Sequence, residues 1–143
     1  MVTRAQIVAE ARTWIGTPWR HQGRLKGVGV DCIGLLACIA KDLGIFHYDV
    51  TGYSRQPNPK ELVRHIEAAG MLRIPKEKAL PADAALIDFG GGPQHLAILS
   101  DYKFGGLAFI HALSKVGYVA EHRLPSGWLR GIWRLYRFPG IED

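Results

Sequence analysis

Cysteine is scarce in this chain: 2 in 143 residues, too few for a disulfide scaffold. No apolar run approaches the roughly 18–20 residues that a membrane-spanning helix needs, so no membrane span is expected. The N-terminus, Met1-Val2-Thr3-Arg4-Ala5-Gln6, lacks the apolar stretch of a secretory signal. The expectation is a chain made in the cytoplasm that stays there or leaves by a route needing no such signal. Repeats and low-complexity tracts are absent. So is any basic run interleaved with aromatics, and no nucleic-acid motif occurs, so no nucleic-acid partner is expected. Acidic residues are short: 13 against 18 Lys+Arg, a net charge of +5. That excess suits an anionic surface, and it equally suits simple solubility. With 48% hydrophobic and 22% charged residues, global disorder is excluded. The length predicts a single domain, residues 1–143, with a core that needs no metal or disulfide.

The first half reads as helices. Thr3-Arg4-Ala5-Gln6 is a capping box, followed by Ile7, Ala11, Trp14 and Ile15 at helical spacing, with Gly16 as the stop. Residues 17–30, with Gly23, Gly27 and Gly29, read as a loop. A second helix starts behind Asp31 as N-cap and runs to Gly44; it is apolar around most of its circumference, which predicts a buried position. A third opens with Asn58-Pro59-Lys60-Glu61 and ends at Gly70. After Pro81 short apolar runs alternate with turns. Strands are predicted at 85–89, 95–99, 107–111, 117–121 and 132–138, the first bounded by Gly90-Gly91-Gly92-Pro93. Helices first and strands second predict an α+β fold, N-terminal helices on a C-terminal antiparallel sheet.

Cys32 directly follows the N-cap Asp31. That position puts its sulfur near unpaired N–H groups and the positive end of the helix dipole, which favours the thiolate. Gly34 is expected to leave the neighbouring surface open. Cys38 lies six residues on, roughly 9 Å along a helix axis, too far to bridge to Cys32 while the helix stands; it reads as core. A nucleophilic thiol needs a base and an orienter. His95 and His111 fall on neighbouring predicted strands, within reach of one another, whereas His65 on the third helix reads as structural. Cys32, His95 and His111 are also zinc-ligand types, but no ligand-pair spacing supports a metal site, and no cofactor is expected. Asp88-Phe89-Gly90 spells the kinase metal triplet without the chain length or upstream Gly-rich strands a kinase needs.

Four motifs in order resemble the NlpC/P60 cysteine peptidases. Asp31-Cys32-Ile33-Gly34-Leu35 is similar to the nucleophile motif and Pro81-Ala82-Asp83-Ala84-Ala85-Leu86-Ile87 to the following P-G-D-L segment. His95-Leu96-Ala97-Ile98 resembles the base strand and Ile110-His111-Ala112 the third-residue motif, so that the likeness spans roughly residues 5–115. The resemblance implies a papain-like α+β fold and hydrolysis of an amide in peptidoglycan stem peptides, usually between D-glutamate and the diamino acid. It makes Cys32 the nucleophile, His95 the general base and His111 its orienter. Trp19-Arg20-His21-Gln22-Gly23-Arg24 and Tyr136-Arg137-Phe138-Pro139-Gly140 look most like the phage-tail subgroup, which implies partners among phage-tail or gene-transfer-particle proteins. Trp19 stands where the family has a carbonyl-polarising Tyr. Candidate substrate or oxyanion residues are therefore Trp19, Arg20, His21 and Asp31, together with the Cys32 backbone N–H. Two other readings stay open: a thiol acyltransferase or amidase on the same fold, and a non-catalytic tail-assembly or wall-binding protein.

Overall fold

A computed structural model describes residues 1–88 and 93–142, without the side chains of residues 93 and 94. The Phe89–Gly92 part of the expected turn, and with it most of the Asp88-Phe89-Gly90 triplet, lies outside the described residues. Three α-helices occupy the first half, with a small two-stranded hairpin between the first and second: α1 (Arg4–Arg12), α2 (Cys32–Asp42) and α3 (Pro59–Ala68). The strands are β1 (Arg24–Leu25), β2 (Gly29–Val30), β3 (Leu72–Ile74), β4 (Ala84–Asp88), β5 (Pro93–Asp101), β6 (Leu107–Ala112), β7 (Val119–Arg123) and β8 (Ile132–Arg137). The last six form one sheet in the order β3-β8-β4-β5-β6-β7, with every neighbouring pair antiparallel. The α+β class and its order of layers are those expected.

Local chemistry explains the helices. Thr3 and Gln6 close the capping box on α1, Asp31 accepts from the Gly34 N–H at the head of α2, and Asn58 accepts from the Lys60 N–H before Pro59. Gly70, past the end of α3, has φ +98°, a conformation only glycine adopts without strain. The 17–30 segment is not all loop: β1 and β2 form a small hairpin, with Arg24 opposite Val30. α1 is shorter than the apolar spacing suggested. It ends at Arg12, and Trp14 enters the core from the turn beyond it.

The sheet is covered on both sides. Ile7, Trp14, Leu35, Ile39, Leu62 and Ile66 from the helical half pack on Leu86, Leu96, Ile98 and Ile110. Ala85, Ile87, Ala97, Leu99, Phe109 and Leu135 form a second cluster on the opposite face. This is why Ala84 through Ile87 is buried at every position and reads as an unbroken apolar run instead of an alternating one. Asp83 pins the chain's two ends to the sheet. It is wholly buried and accepts from Arg4 Nη1 at 3.0 Å, Arg137 Nε and Nη2 at 2.9 Å, and the Leu80 N–H at 2.9 Å. α2 packs against β5 and β6, which carries its first residue to the strands holding the two histidines.

Candidate active site

The head of α2 is fixed by a saturated carboxylate. Asp31 Oδ1 accepts from the Gly34 N–H at 2.8 Å and Arg24 Nη1 at 3.2 Å. Its Oδ2 accepts from the Gln22 N–H at 2.7 Å and the Tyr53 hydroxyl at 2.6 Å. Tyr53 in turn accepts from Arg24 Nη2 at 2.9 Å. Burial and the hydrogen bond to Asp31 push the Tyr53 phenol up, so it stays protonated. The hairpin, the α2 cap and the long α2–α3 connection are thus tied to one buried anion. Gly34 does not leave open surface, as its small size suggested. It is buried, and a Cβ there would collide with the Gly23 carbonyl oxygen and the Arg24 guanidinium. The glycine lets α2 seat against this network.

Cys32, the first residue of α2, shares a cavity of about 330 Å³ with His95, Trp19 and Tyr53. Its sulfur faces the backbone N–H groups of Leu96 and Ile33, so it lies against β5 beside His95. Behind His95 stands His111 on β6. His95 Nε2 and His111 Nδ1 are 2.8 Å apart, and both rings are buried. His111 Nε2 is buried without a hydrogen-bond partner among the described residues. Its ring packs 4.4 Å from that of Phe109 and 5.1 Å, edge to face, from that of the exposed His122. The structure therefore aligns Cys32, His95 and His111 across three adjacent elements.

The electrostatics differ from the expectation for a helix-start cysteine. Burial pushes the Cys32 thiol up to about 11 and the Asp31 carboxylate adds to this; the backbone N–H groups of Leu96, Ile33 and Cys32 itself only partly oppose it. Burial also lowers His95 to about 4. It lowers His111 to about 3, with the neighbouring His95 and His122 adding to the effect. The resting pair at neutral pH is thus thiol and imidazole, not thiolate and imidazolium. Desolvation disfavours each charge separately, and at this depth it outweighs the helix dipole.

The four substrate or oxyanion candidates divide. Trp19 and Asp31 line the cavity, although both oxygens of Asp31 are already engaged. Arg20 is exposed, and the stem of its side chain covers Gly29. His21 packs edge to face on Tyr53, away from the cavity wall, with ring centroids 5.5 Å apart. Cys38 is buried in the helix interior, its Sγ 3.6 Å from the Arg24 carbonyl, and both cysteines are free. His65 is held by the Tyr48 hydroxyl at 2.6 Å, in keeping with a structural role. Sequence reasoning did not find Tyr53, Arg55 or Lys115, which also line the cavity. They come from connections with no periodic pattern, so no local signal marks them.

By sequence comparison no family model and no curated protein matches the chain. Solved structures do match it. One is an NLP/P60 family protein similar to lipoprotein, from Staphylococcus aureus subsp. aureus Mu50: 19% identical, TM-score 0.61, covering 98% of this chain and 42% of that one. The chain thus spans less than half the length of the staphylococcal protein. Another is the NlpC/p60 domain of the peptidoglycan hydrolase SagA: 27% identical, TM-score 0.64, covering 94% of this chain and 98% of that one. The order of helices and strands, the six-stranded sheet and the overlay on these two proteins give this chain the fold of the NlpC/P60 domains.

Proposed function

We propose that the chain is a cysteine peptidase that hydrolyses an amide in peptidoglycan stem peptides, between D-glutamate and the diamino acid. We further propose that it acts as a cell-wall hydrolase of phage-tail or gene-transfer-particle type, carried to the wall on the particle. The observation that carries the reading is that Cys32 and His95 line one open cavity, with His111 hydrogen-bonded to His95 behind it. The SagA domain, named as part of a peptidoglycan hydrolase, supports the substrate class.

The chemistry follows from the resting protonation states. In the tautomer this reading assigns, His95 Nε2 donates to His111 Nδ1, so a proton leaving Cys32 Sγ goes to His95 Nδ1. The thiol gives up that proton as sulfur attacks the scissile carbonyl, because a preformed thiolate is disfavoured by burial. The carbonyl oxygen becomes an oxyanion beside the new imidazolium, and the Cys32 N–H at the first turn of α2 is the backbone donor proposed for it. His95 then returns the proton to the departing amine as the C–N bond breaks, leaving a thioester. Water, deprotonated by His95, attacks the thioester and frees the acid and the thiol. His111 holds the base in the tautomer and orientation this sequence requires.

The test is cleavage of a defined muropeptide under reducing conditions, read by mass spectrometry, with wild type and Cys32→Ser side by side. The expected result is fragments from cleavage between D-glutamate and the diamino acid, reduced on the order of 10⁴-fold or more in the variant. No cleavage by the folded wild-type protein overturns the reading.

A further inference from the structure

The cavity beside Cys32 has an unbalanced set of fixed charges. Among the described residues one carboxylate lines it, Asp31, along with two cations, Arg55 and Lys115. Asp31 is spent: its two oxygens take four donors, one of them the Arg24 guanidinium. Cys32 and His95 are neutral near pH 7 for the reasons given above. What the open cleft presents to a ligand is therefore net positive.

Several other basic residues are already engaged by acidic partners. Arg4, Arg24, Lys26, Arg134 and Arg137 each face a carboxylate of this chain. Arg55 and Lys115 face none among the described residues. Both are exposed at the cleft, Arg55 in the α2–α3 connection and Lys115 in the β6–β7 turn. Arg55 is not loose. Its guanidinium lies 5.1 Å over the Trp19 ring, a contact that uses the cation's face and leaves its N–H edges for a planar anion. Trp19 thus holds the Arg55 guanidinium at the cleft wall.

We propose that Arg55 and Lys115 are specificity-determining residues that bind free carboxylates on the residues flanking the scissile amide. The preferred substrate is then an acidic peptide, and carboxamide forms of the same peptide are disfavoured. Two cations on separate loops suit two carboxylates, one on each side of the bond. Charge-assisted hydrogen bonds to a guanidinium are stronger than those a neutral amide can make. This inference rests on the peptidase reading for its substrate.

Two synthetic stem peptides test it, identical except that the carboxyls flanking the scissile amide are free in one and carboxamides in the other. Hydrolysis is followed with wild type, Arg55→Gln, Lys115→Gln and the double variant. Binding of each peptide to Cys32→Ser is measured by calorimetry. Wild type is expected to favour the acid form about tenfold or more in kcat/KM, chiefly through KM, with the preference shrinking as salt rises. Each single variant should lose part of that preference, and the double variant should treat the two peptides alike. Equal wild-type rates on both peptides, or a preference that survives the double substitution, overturn the inference. If wild type cleaves neither peptide, the peptidase reading fails and binding decides. Tighter binding of the acid form to Cys32→Ser supports the carboxylate site, and equal or absent binding overturns it.

Discussion

Asp83 and Asp31 are two buried carboxylates, 0% and 4% exposed, that each take four donors including arginine. At Asp83 the donors are Arg4, Arg137 and a backbone N–H, and nothing reactive lies near. Its function is mechanical, clamping the first helix and the last strand onto β4. At Asp31 the donors come from the hairpin, from Tyr53 and from the head of α2, with Cys32 as the next residue. The same pattern of satisfied charge therefore does two jobs. What separates them is the neighbour: the Asp31 charge acts on a thiol, raising it.

The largest effect expected is on stability at the Asp83 end. Asp83→Ala removes the buried carboxylate that Arg4 and Arg137 share and should cost about 3–5 kcal/mol, read as a fall in Tm. In the protein that remains folded, the rate of Cys32 alkylation should not change. A changed rate would mean the two regions are coupled.

Acid probes the other end. Because His95 is lowered from its ordinary 6.5 to about 4 by burial, the unfolded chain takes up a proton before the folded one does. Stability is then complete above about pH 6.5 and is lost as pH falls toward 4, by about 3 kcal/mol for this one site. Thermal melts across that range should show the loss, and His95→Gln should make it shallower, leaving the share that the likewise lowered His111 contributes. An equally steep profile in the variant would place the acid sensitivity elsewhere.

Asp31→Asn is expected to be milder than the Asp83 change, about 1–3 kcal/mol. The amide oxygen can still cap α2, and Arg24 keeps Asp49 at 3.0 Å. Unlike Asp83→Ala, it should move the alkylation profile of Cys32 to lower pH, because a charge that raises the thiol is gone. An unmoved profile would make Asp31 as purely mechanical as Asp83. Cys38→Ala, on the same helix as Cys32, should have the smallest effect, about 1 kcal/mol by denaturant unfolding. Muropeptide cleavage should be unaltered, and a folded but inactive variant would show that the wrong cysteine had been assigned.

Residues with local causes were legible in the sequence. Thr3, Asp31 and Asn58 cap the helices they were expected to cap, because an N-cap needs only its own side chain and the next turn. The strands carrying His95 and His111 were legible from their apolar runs. β3 was not, since its three residues are ordered by pairing with β8, more than 60 positions away. The α2–α3 connection was silent for the same reason. Tyr53 and Arg55 are placed by Asp31, Arg24 and Trp19, none of them near in the chain.

The sequence by itself determined the α+β class, the caps and the choice of Cys32, His95 and His111 as the proposed nucleophile and its two histidines. These follow from local periodicity, spacing and an ordered set of motifs. Only the tertiary structure decided the ionisation of Cys32 and the seating of Gly34 against the hairpin. It also decided which basic residues remain available to a ligand. Those properties depend on burial and on partners brought together from distant segments, and desolvation cannot be read from the order of residues along a chain.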